Sequence, residues 1–138
     1  MSTSDNGVTR AEAVITVHKY EPTAYDEPTD GPALTRIHVE ESFSGDIEGD
    51  GVVEFLQASR ADGSASFVGL ERITGTVAGR TGTFLLQDAG TVAGNIVSGT
   101  WFVVPGSGTD QLAGFRGEGA FRANLGEGAQ VSLDYRFE

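Results

Sequence analysis

The chain has 138 residues, with 20 acidic side chains against nine basic ones, a formal net charge of −11, 20 glycines and no cysteine. That length fits one domain whose core is large enough to stand without staples. The missing cysteines exclude disulfides, thiolate metal centres and cysteine nucleophiles, and the negative charge sets the protein against nucleic acid and anionic membranes, whose phosphates would repel it.

No apolar run approaches the about 18 residues of a membrane span. Met1 to Arg10 is polar and lacks the apolar stretch of a secretory signal, so a cytoplasmic location is expected. Residues 1–9 are small and polar and are expected to form a disordered arm ahead of a single domain over 10–138. Arg10 to Tyr20 then alternates as a strand, with Ala13, Ile15 and Val17 on one face and Val14, Thr16 and His18 on the other. Glu21 to Pro32 holds three of the four prolines and reads as a loop. Leu34 to Ser44 alternates again, with Ile37, Val39 and Phe43 on one face, and Ser44 to Gly51 has the composition of a turn.

From there strands and turns follow quickly. Val52 to Arg60 is a strand, and Asp62-Gly63 is a strong hairpin signal. Ser64 to Ala78, Thr81 to Val92, Ile96 to Val104, Leu112 to Ala123 and Ala129 to Phe137 complete the series, separated by Gly79-Arg80, Gly94-Asn95, Pro105 to Asp110 and Gly126 to Gly128. Eight evenly spaced strands without a sustained 3.6-residue period predict an all-β fold, sandwich or closed barrel. Eight is the strand count of a small antiparallel β-barrel, in which no edge is left open. Glycines inside the strands suit a strongly curved sheet.

The last two strands define the inner face. Phe115, Gly117, Gly119 and Phe121 alternate with Arg116, Glu118, Ala120 and Arg122; Val131, Leu133, Tyr135 and Phe137 alternate with polar residues. Val52 to Leu56, Phe84 to Leu86 and Phe102 to Val104 are apolar on both faces. A sheet segment of that kind needs cover outside as well as inside, which points to a homo-oligomer.

If Asp62-Gly63 is a two-residue hairpin tip, Glu54 stands opposite Glu71 among apolar neighbours that include Phe67. Carboxyls paired that closely cannot both ionise freely, and so supply a general acid and a general base. A three-residue turn at Ala78-Gly79-Arg80 would set Gln87 opposite Glu71; a two-residue turn would put Arg72 in that place. Trp101 and Tyr135, on the inner parity, carry polar handles that want partners. Glu54 and Glu71 are therefore the candidate catalytic groups, and Gln87, Trp101, Tyr135, Phe67 and Phe115 the candidate ligand contacts, of a small-molecule cavity.

Metal and nucleotide chemistry find little support. His18, His38 and Glu40 could approach one another, but His38-Val39-Glu40 lacks the two cysteines of a zinc deaminase. Asp46 to Gly51 resembles the start of a calcium loop, yet its twelfth position is Gln57. Gly106-Ser107-Gly108 does not continue into a dinucleotide fingerprint, and neither a phosphate-binding loop nor a serine nucleophile elbow occurs. No cofactor and no metal is expected.

The segments Phe43-Ser-Gly-Asp46, Asp62-Gly-Ser-Ala-Ser-Phe-Val-Gly-Leu-Glu-Arg72, Val104-Pro-Gly-Ser-Gly-Thr109, Gly114-Phe-Arg-Gly-Glu-Gly119 and Leu133-Asp-Tyr135 resemble those of an uncharacterised bacterial family, domain of unknown function 3224, over about residues 10–138. The resemblance implies an eight-stranded barrel like that of allene oxide cyclase, and Gly106 to Gly119 is also similar to a segment shared by those cyclases and plant dirigent proteins. Relatives of that barrel form dimers or trimers, and their cavity carboxylates and aromatic side chains steer ring closures without cofactors. The family itself implies no activity, and the cyclase's cysteine has no counterpart. The expected function is a barrel that binds a small apolar molecule, as a cofactor-free isomerase or cyclase; the alternatives are a lipocalin-like binder without chemistry and a structural barrel with a filled interior.

Overall fold

The computed structural model describes residues 2–3, 7–125 and 127–138. Eight long strands form one antiparallel sheet in chain order: β1 (Thr9–Asp26), β2 (Ala33–Gly45), β3 (Ile47–Ser59), β4 (Ala65–Val77), β5 (Arg80–Ala93), β6 (Ile96–Val103), β7 (Phe115–Asn124) and β8 (Ala129–Phe137). β1 also pairs with β8, from Thr9 opposite Tyr135 to Ile15 opposite Ala129, and this closes the barrel. The pair Ser2–Thr3 adds to β1 at Arg10 and Thr9. Of the arm expected to be disordered, residues 1 and 4–6 lie outside the described residues. The described residues contain no helix beyond the single 3-10 turn Asp110–Leu112, and none long and apolar enough to cross a membrane.

Three local expectations change. β1 does not stop at Tyr20 but runs to Asp26, so the proline-rich stretch is strand up to that point, with Pro22 opposite Ile37. Past Ile15 this strand has β2 as its partner and no longer pairs with β8, and a strand with an open edge tolerates proline. A register shift between Val17 and Lys19 makes His18 a bulge residue, which brings Tyr20 opposite the inward Val39. The turn expected over Ser44 to Gly51 shrinks to the break at Asp46, whose amide donates to Glu12 O at 2.8 Å while its carboxylate accepts from the Glu12 amide at 3.0 Å.

The third change is one of register. The β3–β4 hairpin closes with Arg60 N–H to Ser64 O at 2.8 Å and Gly63 N–H to Arg60 O at 3.0 Å, so three residues form the loop, with Gly63 left-handed at φ 87°. Opposed residues therefore pair Glu54 with Leu70 and Glu71 with Val53. A one-residue slip exchanges faces: Glu71 points inward, Glu54 outward.

The two ends of the barrel differ. β5 outruns β6, whose last paired residue is Val103 opposite Leu86. The loop after β6 covers the exposed part of β5: the Thr109 amide donates to Thr83 O at 2.9 Å, the Leu85 amide to Ser107 Oγ at 3.1 Å and the Thr81 amide to Gln111 Oε1 at 2.9 Å. Leu112, fully buried, plugs this end beside Phe84 and Phe115, whose ring centroids lie 4.9 Å apart. The opposite end is open. On the outside, Val52, Leu56, Val68, Leu70 and Phe102 stand exposed along neighbouring strands.

Candidate functional site

Behind the open end lies a cavity of about 220 Å³, walled by Ile15, Val39, Phe55, Val97, Trp101 and Phe121 and edged by Tyr20 and Leu125. Three buried carboxyl side chains face it, Glu41 from β2, Glu71 from β4 and Asp88 from β5, and Glu127 stands at its mouth. All three occupy inward positions in rows of apolar residues, Glu41 between Val39 and Phe43, Glu71 between Gly69 and Ile73, Asp88 beside Leu86. None of the nine basic residues lines the cavity.

Backbone space shapes the site. Glu41 lies across from Gly51 on β3, and a Cβ on Gly51 would collide with Glu71 Oε2. Glycine here provides the room the carboxyl occupies. Asp88 lies across from Trp101, whose indole N–H donates to Ser132 O at 2.9 Å. Gly119 makes way for that indole in the same manner, since its missing Cβ would come within 2.9 Å of Nε1.

The electrostatics follow from burial without counter-ions. The Glu41 and Glu71 carboxyls lie close enough to share a hydrogen bond, which would need a proton between them. Desolvation pushes the Glu71 carboxyl well above the usual carboxylate range, and Glu41 and Asp88 push it further. Desolvation likewise raises Glu41. Asp88 is raised to about 7, first by desolvation and then by the charge of Glu41. Glu71 Oε2 and Asp88 Oδ1 are buried and have no hydrogen-bond partner. Unsatisfied buried acceptors are costly, and natural interiors hold few of them.

The other candidate residues are dispersed. Glu54 sits on the outer face, where it accepts from Arg36 Nε at 2.8 Å and from His38 Nδ1, while His38 Nε2 donates to Glu40 Oε2 at 2.7 Å. The His38 bond first, then Arg36, holds the Glu54 carboxylate below its ordinary range despite partial burial, and the bonds to Glu40 and Glu54 raise His38. Glu54 and Glu71 therefore do not form the expected pair. Gln87 is also outside: the β4–β5 turn has two residues, Ala78 and Gly79, both with positive φ, so Gln87 faces Leu70 and Glu71 faces Leu86. The turn has two residues, as one alternative had it, but lies one residue earlier than Gly79-Arg80, so Arg72 stands opposite Leu85 instead of Gln87. Trp101 reaches the cavity, whereas Tyr135 and Phe115 pack toward the plugged end with ring centroids 5.5 Å apart. Phe67 points inward and packs edge-on against Phe55, behind the cavity wall. His18 bonds to Ser42 Oγ at 2.8 Å, apart from His38, and no group of three or more His, Asp or Glu side chains among the described residues could hold a metal ion.

Glu41 and Asp88 are the residues that sequence reasoning missed. Glu41 shares parity with Ile37, Val39 and Phe43, and Asp88 with Phe84, Leu86 and Val92. An acid standing in an inward apolar row was the signal available for both.

The model of a family described as "Protein of unknown function (DUF3224)" matches residues 11–135. A crystal structure of a protein of unknown function from that family, from Shewanella oneidensis MR-1, is similar over 95% of this chain and 98% of its own, at 30% identity and a TM-score of 0.81. No curated protein matches the chain. The likeness to allene oxide cyclases rests on the sequence segments alone.

Proposed function

The chain belongs to the DUF3224 family of proteins of unknown function, and from that premise we propose that its barrel holds a small, mainly apolar molecule at the open end, with Glu71 as the group that gives or takes a proton. The observation that carries this reading is the cavity of about 220 Å³ lined by Glu71 and Asp88, two buried carboxyls that each keep one oxygen no protein group satisfies. Stability alone gives no reason to keep such groups, because apolar residues of similar volume would serve a core as well or better. Groups held near neutral protonation in a cleft are the usual equipment of acid–base chemistry. Glu71, beside Glu41 and desolvated, suits a proton donor; Asp88, at about 7, can give or take one near neutral pH. With apolar walls that restrict a flexible substrate, this is the constellation of a cofactor-free isomerase or cyclase. Glu54, on the outer face, has no part in it.

A second reading is favoured by the cavity's size. Ligand sites usually measure about 300–1,000 Å³, and a barrel with a solvent-filled hollow and a purely structural role would need no larger one. Benzyl alcohol separates the two. In ligand binding it shifts the backbone amides of Val97, Phe121 and Ala123 and spares those of Phe84 and Leu112; a spectrum without saturable shifts at the open end overturns the proposal.

The exposed outer row of Val52, Leu56, Val68, Leu70 and Phe102 supports packing against a second copy of the chain. Native mass spectrometry is expected to show a dimer or trimer, and a monomer at all concentrations contradicts it.

A further inference from the structure

We propose that the ligand of this cavity carries a protonated amine on its small apolar body. The inference rests on the binding function proposed above and narrows it to one chemical class.

The argument starts from what the cavity lacks. Glu71 is 1% exposed and Asp88 3%, each has one buried oxygen without a donor, and the cavity is lined by both carboxyl groups. A neutral ligand with one hydroxyl could satisfy one of them. An ammonium group has three N–H donors and can meet both, because Asp88 is the diagonal neighbour of Glu71 across the β4–β5 ladder. A carboxylate or phosphate ligand meets the opposite situation: Glu41, Glu71 and Asp88 face it from three strands, Glu127 stands at the mouth, and no arginine, lysine or histidine lines the cavity. Two basic groups on the strands that line the cavity serve elsewhere. Arg10 binds Asp134 at 2.8 Å, and Arg36 binds Glu54 on the outer face.

The walls agree with such a ligand. Trp101 and Phe121 both line the cavity, with ring centroids 5.2 Å apart. Aromatic faces accept the apolar body and also attract a cation. A cation bound between the carboxyls would stabilise their ionised forms, so amine binding should drive protons out of the site.

Three probes of one shape test this: benzylamine, benzyl alcohol and benzoate, titrated at pH 7 and followed by the fluorescence of Trp101, the chain's single tryptophan. Benzylamine is expected to bind about tenfold or more tighter than benzyl alcohol, the worth of one hydrogen bond to a charged group, and benzoate not at all. Calorimetry in phosphate and in Tris should show proton release with benzylamine and none with benzyl alcohol. Glu71→Gln and Asp88→Asn, each checked for fold by circular dichroism, should lose the amine's advantage over benzyl alcohol. If benzyl alcohol binds and benzylamine is no tighter, or if benzoate is preferred, the amine assignment fails and the binding reading stands. If none of the probes binds, both fail.

Discussion

The two halves of the barrel interior are built from opposite chemistry. At the plugged end Ile47, Val77, Phe84, Leu112 and Phe115 fill the space with no ionisable side chain among them. At the open end the same inward row positions carry Glu41, Glu71 and Asp88 around an unfilled volume. A strand contributes to both halves through one alternation, so the sheet does not force the difference: β5 supplies Phe84 and Leu86, then Asp88, on a single face. What separates the halves is the loop 104–114, which caps one end and leaves the other open. One half secures the fold, and the other spends some of that stability on groups a core would not choose.

That division can be broken most severely at the plugged end. Phe84→Ala removes a fully buried ring that packs edge-on against Phe115 and is expected to lower unfolding free energy by about 3–5 kcal/mol in urea titration. A loss under about 1 kcal/mol would show that this end is not the stabilising half.

The open half should respond to pH in a known direction. Asp88 has a folded pKa of about 7 against an ordinary 3.8, so between those values the folded state binds more protons than the unfolded state. Its contribution is fully present below about pH 4 and is lost as pH rises through 7. The total is of order 4 kcal/mol at one pKa unit per 1.36 kcal/mol. Urea midpoints should therefore fall from pH 5 to pH 8, and Asp88→Asn should flatten the fall. A midpoint that climbs over this range contradicts the buried assignment.

Gly51→Ala is the next smaller perturbation. Its methyl would enter the space of the Glu71 carboxyl, at a cost of about 1–3 kcal/mol. The same substitution made with Glu71→Ala should cost less, and a double-mutant cycle with no coupling would remove Gly51 from the site. Glu54→Gln should have the smallest effect. It disturbs a partly exposed cluster with His38 and Arg36, of a kind that contributes little to stability, and benzyl alcohol binding should be unchanged. A loss of binding in that variant would put Glu54 back among the functional groups.

The strand series, the closed eight-stranded architecture and the inward rows of β7 and β8 were legible in the sequence, because period-2 alternation and turn glycines report them directly. Register was not. Asp62-Gly63 looks the same in a two-residue and a three-residue hairpin, and the choice between them decides whether Glu54 and Glu71 share one face or stand on opposite faces. The bulge at His18 is equally silent, yet it turns Tyr20 toward the cavity. Glu41 and Asp88 were readable in principle, since parity places them inside. Polar residues at inward positions are read as errors of register until the neighbouring strands are in place.

The central claim is that the open half keeps carboxyl groups protonated near neutral pH because they are buried without a counter-ion. A side-chain carboxyl ¹³C titration of the ligand-free protein tests it most directly. Asp88 is expected to titrate near 7 and Glu71 well above the ordinary range. Both groups ionising near 4, as exposed carboxyls do, would contradict it.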